Sequence, residues 1–185
     1  MQKVLAIARE HTKTLAILFI VIACMAIGVF LRFAPMSPFS GLHGDLKAIE
    51  PDPLLAYTDL EGNTVTLEDF KGEPLLINSW ATWMPFSKDE LVFMNTLQRE
   101  YGEALTVLAI NRMEDREVIK AYIATYGIGR DVLFLVDPGD TFYKAVSGYA
   151  MPETILYDAD GTIVLHVRGV LQENEIRTAL EPLLK

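Results

Sequence analysis

Residues 75–90 read LLINSWATWMPFSKDE. The first six, Leu75 to Trp80, form a short and nearly continuous apolar run, the pattern of a strand buried on both faces. From Pro85 to Tyr101 the spacing changes to that of a helix. Phe86, Leu91, Met94 and Leu97 fall largely on one side and the charges lie opposite. Pro85 suits the first helical turn, where its missing N–H goes unneeded. Between strand and helix stand Trp80 and Trp83, the chain's two tryptophans, around a short turn. Such a frame presents whatever occupies the turn, and here the turn carries Met84, Pro85, Phe86 and Ser87.

On either side of this stretch the elements follow quickly. TDLEGNTVTL (58–67) reads as two short strands around Glu61-Gly62-Asn63, a hairpin signal. LTVLAIN (105–111) is a second buried strand, followed by a helix from Glu114 to Tyr126 that ends at Gly127. VLFLVD (132–137) is a third, followed by a short helix from Thr141 to Ser147. TILYDADGTIVLHVRG (154–169) is a hairpin with its turn at Asp160-Gly161. A closing amphipathic helix from Gln172 to Leu184 carries Ile176, Leu180, Leu183 and Leu184 on its apolar side. Strands alternating with helices, then a terminal hairpin and helix, predict an α/β fold with a mixed central sheet covered on both faces.

The N-terminal quarter is of another kind. Leu15 to Leu31, LAILFIVIACMAIGVFL, is uncharged and apolar, enough for a helix to span a bilayer. Lys3, Arg9 and Lys13 precede it and Arg32 alone follows closely. That bias predicts a cytoplasmic N-terminus and an exported body, a single-pass protein of a bacterial inner membrane. The predicted organisation is a cytoplasmic N-terminus at 1–13, a signal anchor at 14–33, a linker rich in Pro, Gly and Ser at 34–53 and a folded domain at 54–185. A cleaved signal peptide is the competing reading, with Ala26-Ile27-Gly28 as a small-x-small site, but the apolar run continues past it.

Composition narrows the function. The chain has 185 residues and a net charge of −9. Residues 1–50 carry +2, so the body from 51 to 185 carries −11. It offers no basic stripe for phosphate neutralisation, so nucleic acid is not an expected partner. The one cysteine, Cys24, falls inside the apolar run. Val21-Ile22-Ala23-Cys24 loosely matches a lipobox, but the residues after it stay apolar where a lipoprotein turns polar. Either way the body has no internal disulfide.

From Leu54 onward the chain resembles the membrane-anchored thioredoxin-like proteins of the TlpA, ResA and DsbE group, thiol-disulfide oxidoreductases that include cytochrome c maturation proteins. The resemblance rests on LLINSW followed by WATW, a four-residue turn and a helix, and on Ala150-Met151-Pro152-Glu153-Thr154 ahead of a DxDG hairpin. The AMPET stretch is nearest the DsbE-like branch. The resemblance implies a thioredoxin-like fold, a cis peptide bond before Pro152 and a carboxylate, Glu90, beside the active thiols. It puts Asn78 where cytoplasmic thioredoxin has a buried acid. It also implies a groove that receives an extended polypeptide, here lined by Trp83, Met84, Phe86, Met151, Pro152 and Glu153.

The family's chemistry needs thiols at positions 84 and 87. One is a thiolate activated by the helix N-terminus, and the other resolves the mixed disulfide. Met84 is a thioether that cannot ionise or form a disulfide, and the Ser87 hydroxyl has no histidine nearby in sequence to act as base. Ordinary dithiol–disulfide exchange is excluded on these residues, and a peroxidatic cysteine is equally missing. Glu90 reads as a relic or as a helix-surface carboxylate, with a base working alone on Ser87 the last of the options, and Ser87 as a first-turn residue satisfying backbone donors. Asp158 and Asp160 belong to a hairpin turn, and Asp137, Gly139 and Asp140 to a similar one. His43 and His166 are too isolated to pair, so no cofactor or metal is expected.

Three functions fit. In the first, a tethered thioredoxin-fold protein without a redox centre binds or presents polypeptide in envelope redox or cytochrome c maturation. In the second, Met84 is a reversible methionine sulfoxide sensor. In the third, the body is a purely structural subunit of a membrane complex, and the apolar site is only packing.

Overall fold

The structure is a computed structural model that describes Asp52 and residues 54–184. The chain divides into two units, Met1–Leu46 and Lys47–Lys185, and everything described belongs to the second. The expected anchor at Leu15–Leu31 and all of the linker except Asp52 lie outside the described residues. Among the described residues no helix is long and apolar enough to cross a membrane.

Seven strands form one sheet in the order β2-β1-β5-β4-β3-β6-β7. They are β1 Ala56–Asp59, β2 Thr64–Thr66, β3 Leu75–Trp80, β4 Thr106–Arg112, β5 Leu133–Asp137, β6 Glu153–Tyr157 and β7 Ile163–Arg168. The central trio β3, β4 and β5 is parallel. β1 joins β5 antiparallel, β2 joins β1, β6 joins β3 and β7 joins β6, all antiparallel. The sheet is therefore mixed, as the alternation of strands and helices predicts.

The α-helices are α1 Ser87–Tyr101, α2 Arg116–Tyr126, α3 Thr141–Ala145 and α4 Glu173–Leu180. Alternation along β3 assigns the two faces of the sheet. Leu76 and Trp80 pack with Leu91, Met94 and Leu97 of α1, Ile119 and Ile123 of α2, and Ile176 and Leu180 of α4. Leu75 and Ile77 face the other way, with Leu108, Ile110, Leu135 and Phe142 of α3. Each buried aliphatic or aromatic side chain contributes about 1.5–3 kcal/mol. LLINSW, buried at every position, pins the sheet between both layers.

Helix boundaries differ from expectation for identifiable reasons. Pro85 lies ahead of α1, whose N-cap is Phe86, because the Ser87 N–H donates to the Met84 carbonyl in a tight turn before helical pairing begins. Phe86 is half exposed and leaves the apolar side to Leu91, Met94 and Leu97. α2 starts at Arg116 because Asp115 is extended, φ −71° and ψ 146°, and Glu114 is drawn elsewhere. α4 stops at Leu180, and Pro182 brings no N–H to carry the ladder further.

Candidate functional site

The site lies where β3 and β4 end, next to the start of β6. Strand direction brings these together: the parallel strands deliver their C-terminal ends, and antiparallel β6 begins there. The peptide bond between Met151 and Pro152 is cis, as the resemblance implies.

The two positions that would hold thiols are filled inward. Met84 is 4% exposed and belongs to the core cluster around Trp80 and Leu91. Ser87 is fully buried, and its hydroxyl donates to the Ala81 carbonyl at 2.6 Å. This corrects the expectation that Ser87 satisfies backbone donors: its hydroxyl ties the helix start back to the end of β3. A hydroxyl whose proton is given to a backbone carbonyl is not activated as a nucleophile, because no base draws that proton away.

Glu90, three residues further along α1, is buried rather than on the helix surface. It accepts hydrogen bonds from the Leu171 N–H at 3.1 Å and the Asn78 side-chain amide at 3.2 Å. The same Asn78 amide donates to Thr154 Oγ1 at 3.0 Å. Burial pushes the Glu90 carboxyl from 4.5 up to about 7, and the two hydrogen bonds oppose that rise.

The turn above is clamped by a residue the sequence reading passed over. Glu114 accepts from the Thr82 N–H at 2.7 Å, from the Thr82 hydroxyl, and from the Asn111 side-chain amide at 2.8 Å. Residues far apart in sequence, on the β3 and β4 exits, are tied by one carboxylate. The available signal was that Trp80 and Asn111 share a rung of the sheet, and register is invisible before strands are paired.

Glu153, expected in the groove, turns wholly inward. One carboxylate oxygen accepts from the Tyr149 and Ala150 N–H groups at 3.0 and 3.4 Å. The other lies 2.6 Å from His166 Nε2 and 3.7 Å from Arg168 Nε. The loop before Pro152 is thus pinned to edge strand β7. Its other side is held by Tyr143, whose hydroxyl donates to the Ala150 carbonyl at 3.2 Å. Gly148 runs so close to the Tyr143 ring that a Cβ there would lie 2.4 Å from it. Arg112 covers that ring at 3.4 Å and pairs through two 2.6 Å bonds with Asp140. His166 and Arg112 were not grouped with the site in sequence.

Trp83 and Phe86 are what the site shows to solvent, at 66% and 47% exposure. Met151 is partly buried against the core and Pro152 is buried. Of the expected groove residues, Met84, Pro152 and Glu153 therefore offer almost no surface. The aspartates of the turns have local duties: Asp158 caps the Asp160 and Thr162 N–H groups, and Asp137 accepts from Thr141 and Phe142. Among the described residues no group of three or more His, Cys, Asp or Glu is arranged to hold a metal ion.

Comparison with known proteins gives a consistent answer. The redoxin family matches residues 43–180. The thiol-disulfide oxidoreductase ResA of Bacillus thuringiensis subsp. konkukian is 24% identical over 174 residues, which cover 94% of this chain and 97% of that protein. The thioredoxin-like protein YneN of Bacillus subtilis is 29% identical over 133 residues, 70% of this chain and 76% of that one. Among solved structures, a DsbE candidate of the thiol:disulfide interchange class from Chlorobium tepidum superposes with a TM-score of 0.67. It is 22% identical and covers 76% of this chain and 99% of its own. The chain belongs to the redoxin family, as a thioredoxin-fold protein of the TlpA, ResA and DsbE kind.

Proposed function

We propose that this protein is an exported, membrane-tethered thioredoxin-fold protein that binds or presents a polypeptide segment and performs no dithiol–disulfide exchange. Its setting would be envelope redox or cytochrome c maturation, in keeping with relatives that are thiol-disulfide oxidoreductases by name. The carrying observation is the contrast within one turn. The positions that need thiols hold a buried thioether and a committed hydroxyl, while Trp83 and Phe86 beside them face solvent. The only cysteine, Cys24, lies in the apolar run expected to span the membrane. A site that had merely decayed into packing would have little reason to leave a tryptophan 66% exposed.

The methionine sensor reading loses support from burial. An oxidant in solution meets Met113, 65% exposed, well before Met84 at 4%.

Two tryptophans make the test simple. The full chain in detergent micelles, labelled with ¹⁵N at the indoles, gives one signal from buried Trp80 and one from Trp83. Titration with a Cys-x-x-Cys-His peptide and its serine counterpart is expected to move Trp83 saturably and alike for both, leaving Trp80 in place. No movement at millimolar peptide overturns binding. Reduction of a disulfide-bonded substrate above the buffer rate overturns the loss of exchange.

A further inference from the structure

We propose that Met113 is the second jaw of the Trp83 surface, and that the pair selects a segment in which a large apolar side chain is followed by a basic residue. This rests on the polypeptide-binding reading and gives it a specificity.

The placement follows from register. Trp80 of β3 lies opposite Asn111 of β4, so Trp83 and Met113 leave the sheet three and two residues beyond the same rung. Glu114 then fastens the β4 exit to Thr82, which holds the residues flanking Trp83 and Met113 against each other. Both side chains are left in solvent, Met113 at 65%.

Met113 is also in an unusual backbone state. Its φ is 59°, in the left-handed region that favours glycine, and its N–H is held by the Asp137 carbonyl at 3.0 Å. Asp140 has a similar φ of 55°, but aspartate tolerates that region, and its carboxylate is engaged by Arg112. Met113 has no such internal use. A flexible thioether is held out in solvent at a position where glycine would sit without strain, and an outlier of that kind points to a ligand.

Charge around the jaws names the partner's sign. Asp89 and Asp115 are exposed and make no ion pair among the described residues. Asp89 stands in the first turn of α1, directly after the Trp83 turn, and Asp115 is the N-cap of α2, two residues after Met113. Lys88 is a cation beside them, over Tyr126 at 5.8 Å from the ring centroid, while Arg116 reaches toward Gly62, so the carboxylates outnumber the cation at the border. An apolar residue between the jaws therefore has an acidic border beside it, which complements lysine or arginine.

The experiment uses the same indole-labelled full chain in zwitterionic nanodiscs, so that lipid charge does not compete. Three hexapeptides are the probes, identical but for a central Phe-Lys, Phe-Glu or Ser-Lys pair. The Phe-Lys peptide is expected to bind at least tenfold more tightly than either other, with the margin over Phe-Glu shrinking at high salt. Met113→Gly is expected to leave the thermal midpoint no lower than wild type and to weaken Phe-Lys binding at least fivefold, with Met113→Leu recovering most of the loss. Unchanged affinity in Met113→Gly overturns the role of Met113, and equal affinity for Phe-Lys and Phe-Glu overturns the charge selection. Failure of wild type to bind any of the three overturns the polypeptide-binding reading itself.

Discussion

Two halves of one turn differ sharply. Met84, Ser87 and Glu90 point into the protein and are almost wholly buried, while Trp83 and Phe86, interleaved with them in sequence, stand in solvent. In the inner half every side chain has a structural partner: Met84 the core around Trp80, Ser87 the Ala81 carbonyl, Glu90 the Leu171 N–H and the Asn78 amide. The outer half has none of these ties. The difference teaches that positions 84 and 87 are filled from within, while the outer surface is free of structural ties and available for an independent use. Stability should therefore reside in the inner half and recognition in the outer.

Met84→Ala puts the largest strain on that division. Removing a buried methionine from a packed cluster costs about 2–5 kcal/mol in lost transfer energy and residual cavity. Urea unfolding of the chain from Lys47 onward, followed by circular dichroism, should show the midpoint fall accordingly. A loss under about 0.5 kcal/mol would mean Met84 is a surface residue in solution and the two halves are one groove.

Glu90 separates the halves by pH. Its carboxyl is pushed up to about 7 in the fold against 4.5 in the unfolded chain, chiefly by burial. The fold therefore binds the proton more tightly than the unfolded chain does. The stabilisation is fully present below about pH 4.5 and is lost as pH rises through about 7, amounting to about 3 kcal/mol. Glu90→Gln keeps a neutral side chain at all pH values. Wild type should lose more stability than this variant between pH 5 and pH 8, and parallel pH profiles for the two would remove Glu90 from the account.

A smaller effect belongs to Ser87. Its hydroxyl gives a neutral hydrogen bond to a buried carbonyl that also accepts from the Met84 N–H, so Ser87→Ala should cost about 1 kcal/mol. Denaturation with Met84→Ala as the reference tests this. A change above about 3 kcal/mol would imply that the bond anchors more than the helix start.

Sequence and structure agree best where one physical rule acts alone. LLINSW runs from Leu75 to Trp80 in both, because a strand buried on two faces must be apolar throughout. The hairpin from β6 to β7 and the Gly127 stop of α2 were equally legible. Boundaries failed where a distant residue intervened: the bonds that Thr82 donates to Glu114 moved the start of α2 to Arg116, and nothing within residues 114–126 announces Thr82. Within the site, residue identities were readable but directions were not. A turn has no period, so the alternation of buried Met84 and Ser87 with exposed Trp83 and Phe86 has no signature in the string. Glu153 reads as a groove residue in the string because its partners His166 and Arg168 come beside it only once β7 pairs with β6.

Trp83→Ala is the smallest expected change in stability and the most informative about the outer half. A side chain 66% exposed loses little packing on truncation, so the unfolding free energy should move by no more than about 0.5 kcal/mol. Affinity for peptide should nevertheless fall severely, because an exposed tryptophan at the mouth of a site is the kind of residue that dominates a small interface. Fluorescence of the remaining Trp80 reports that the core is intact, and calorimetry with a peptide reports binding. If stability drops by several kcal/mol, Trp83 is part of the packed inner half and its exposure carries no functional meaning. If stability and binding both stay unchanged, recognition lies elsewhere on the acidic body. Unchanged stability with lost binding is what a closed thiol site with a working outer face requires.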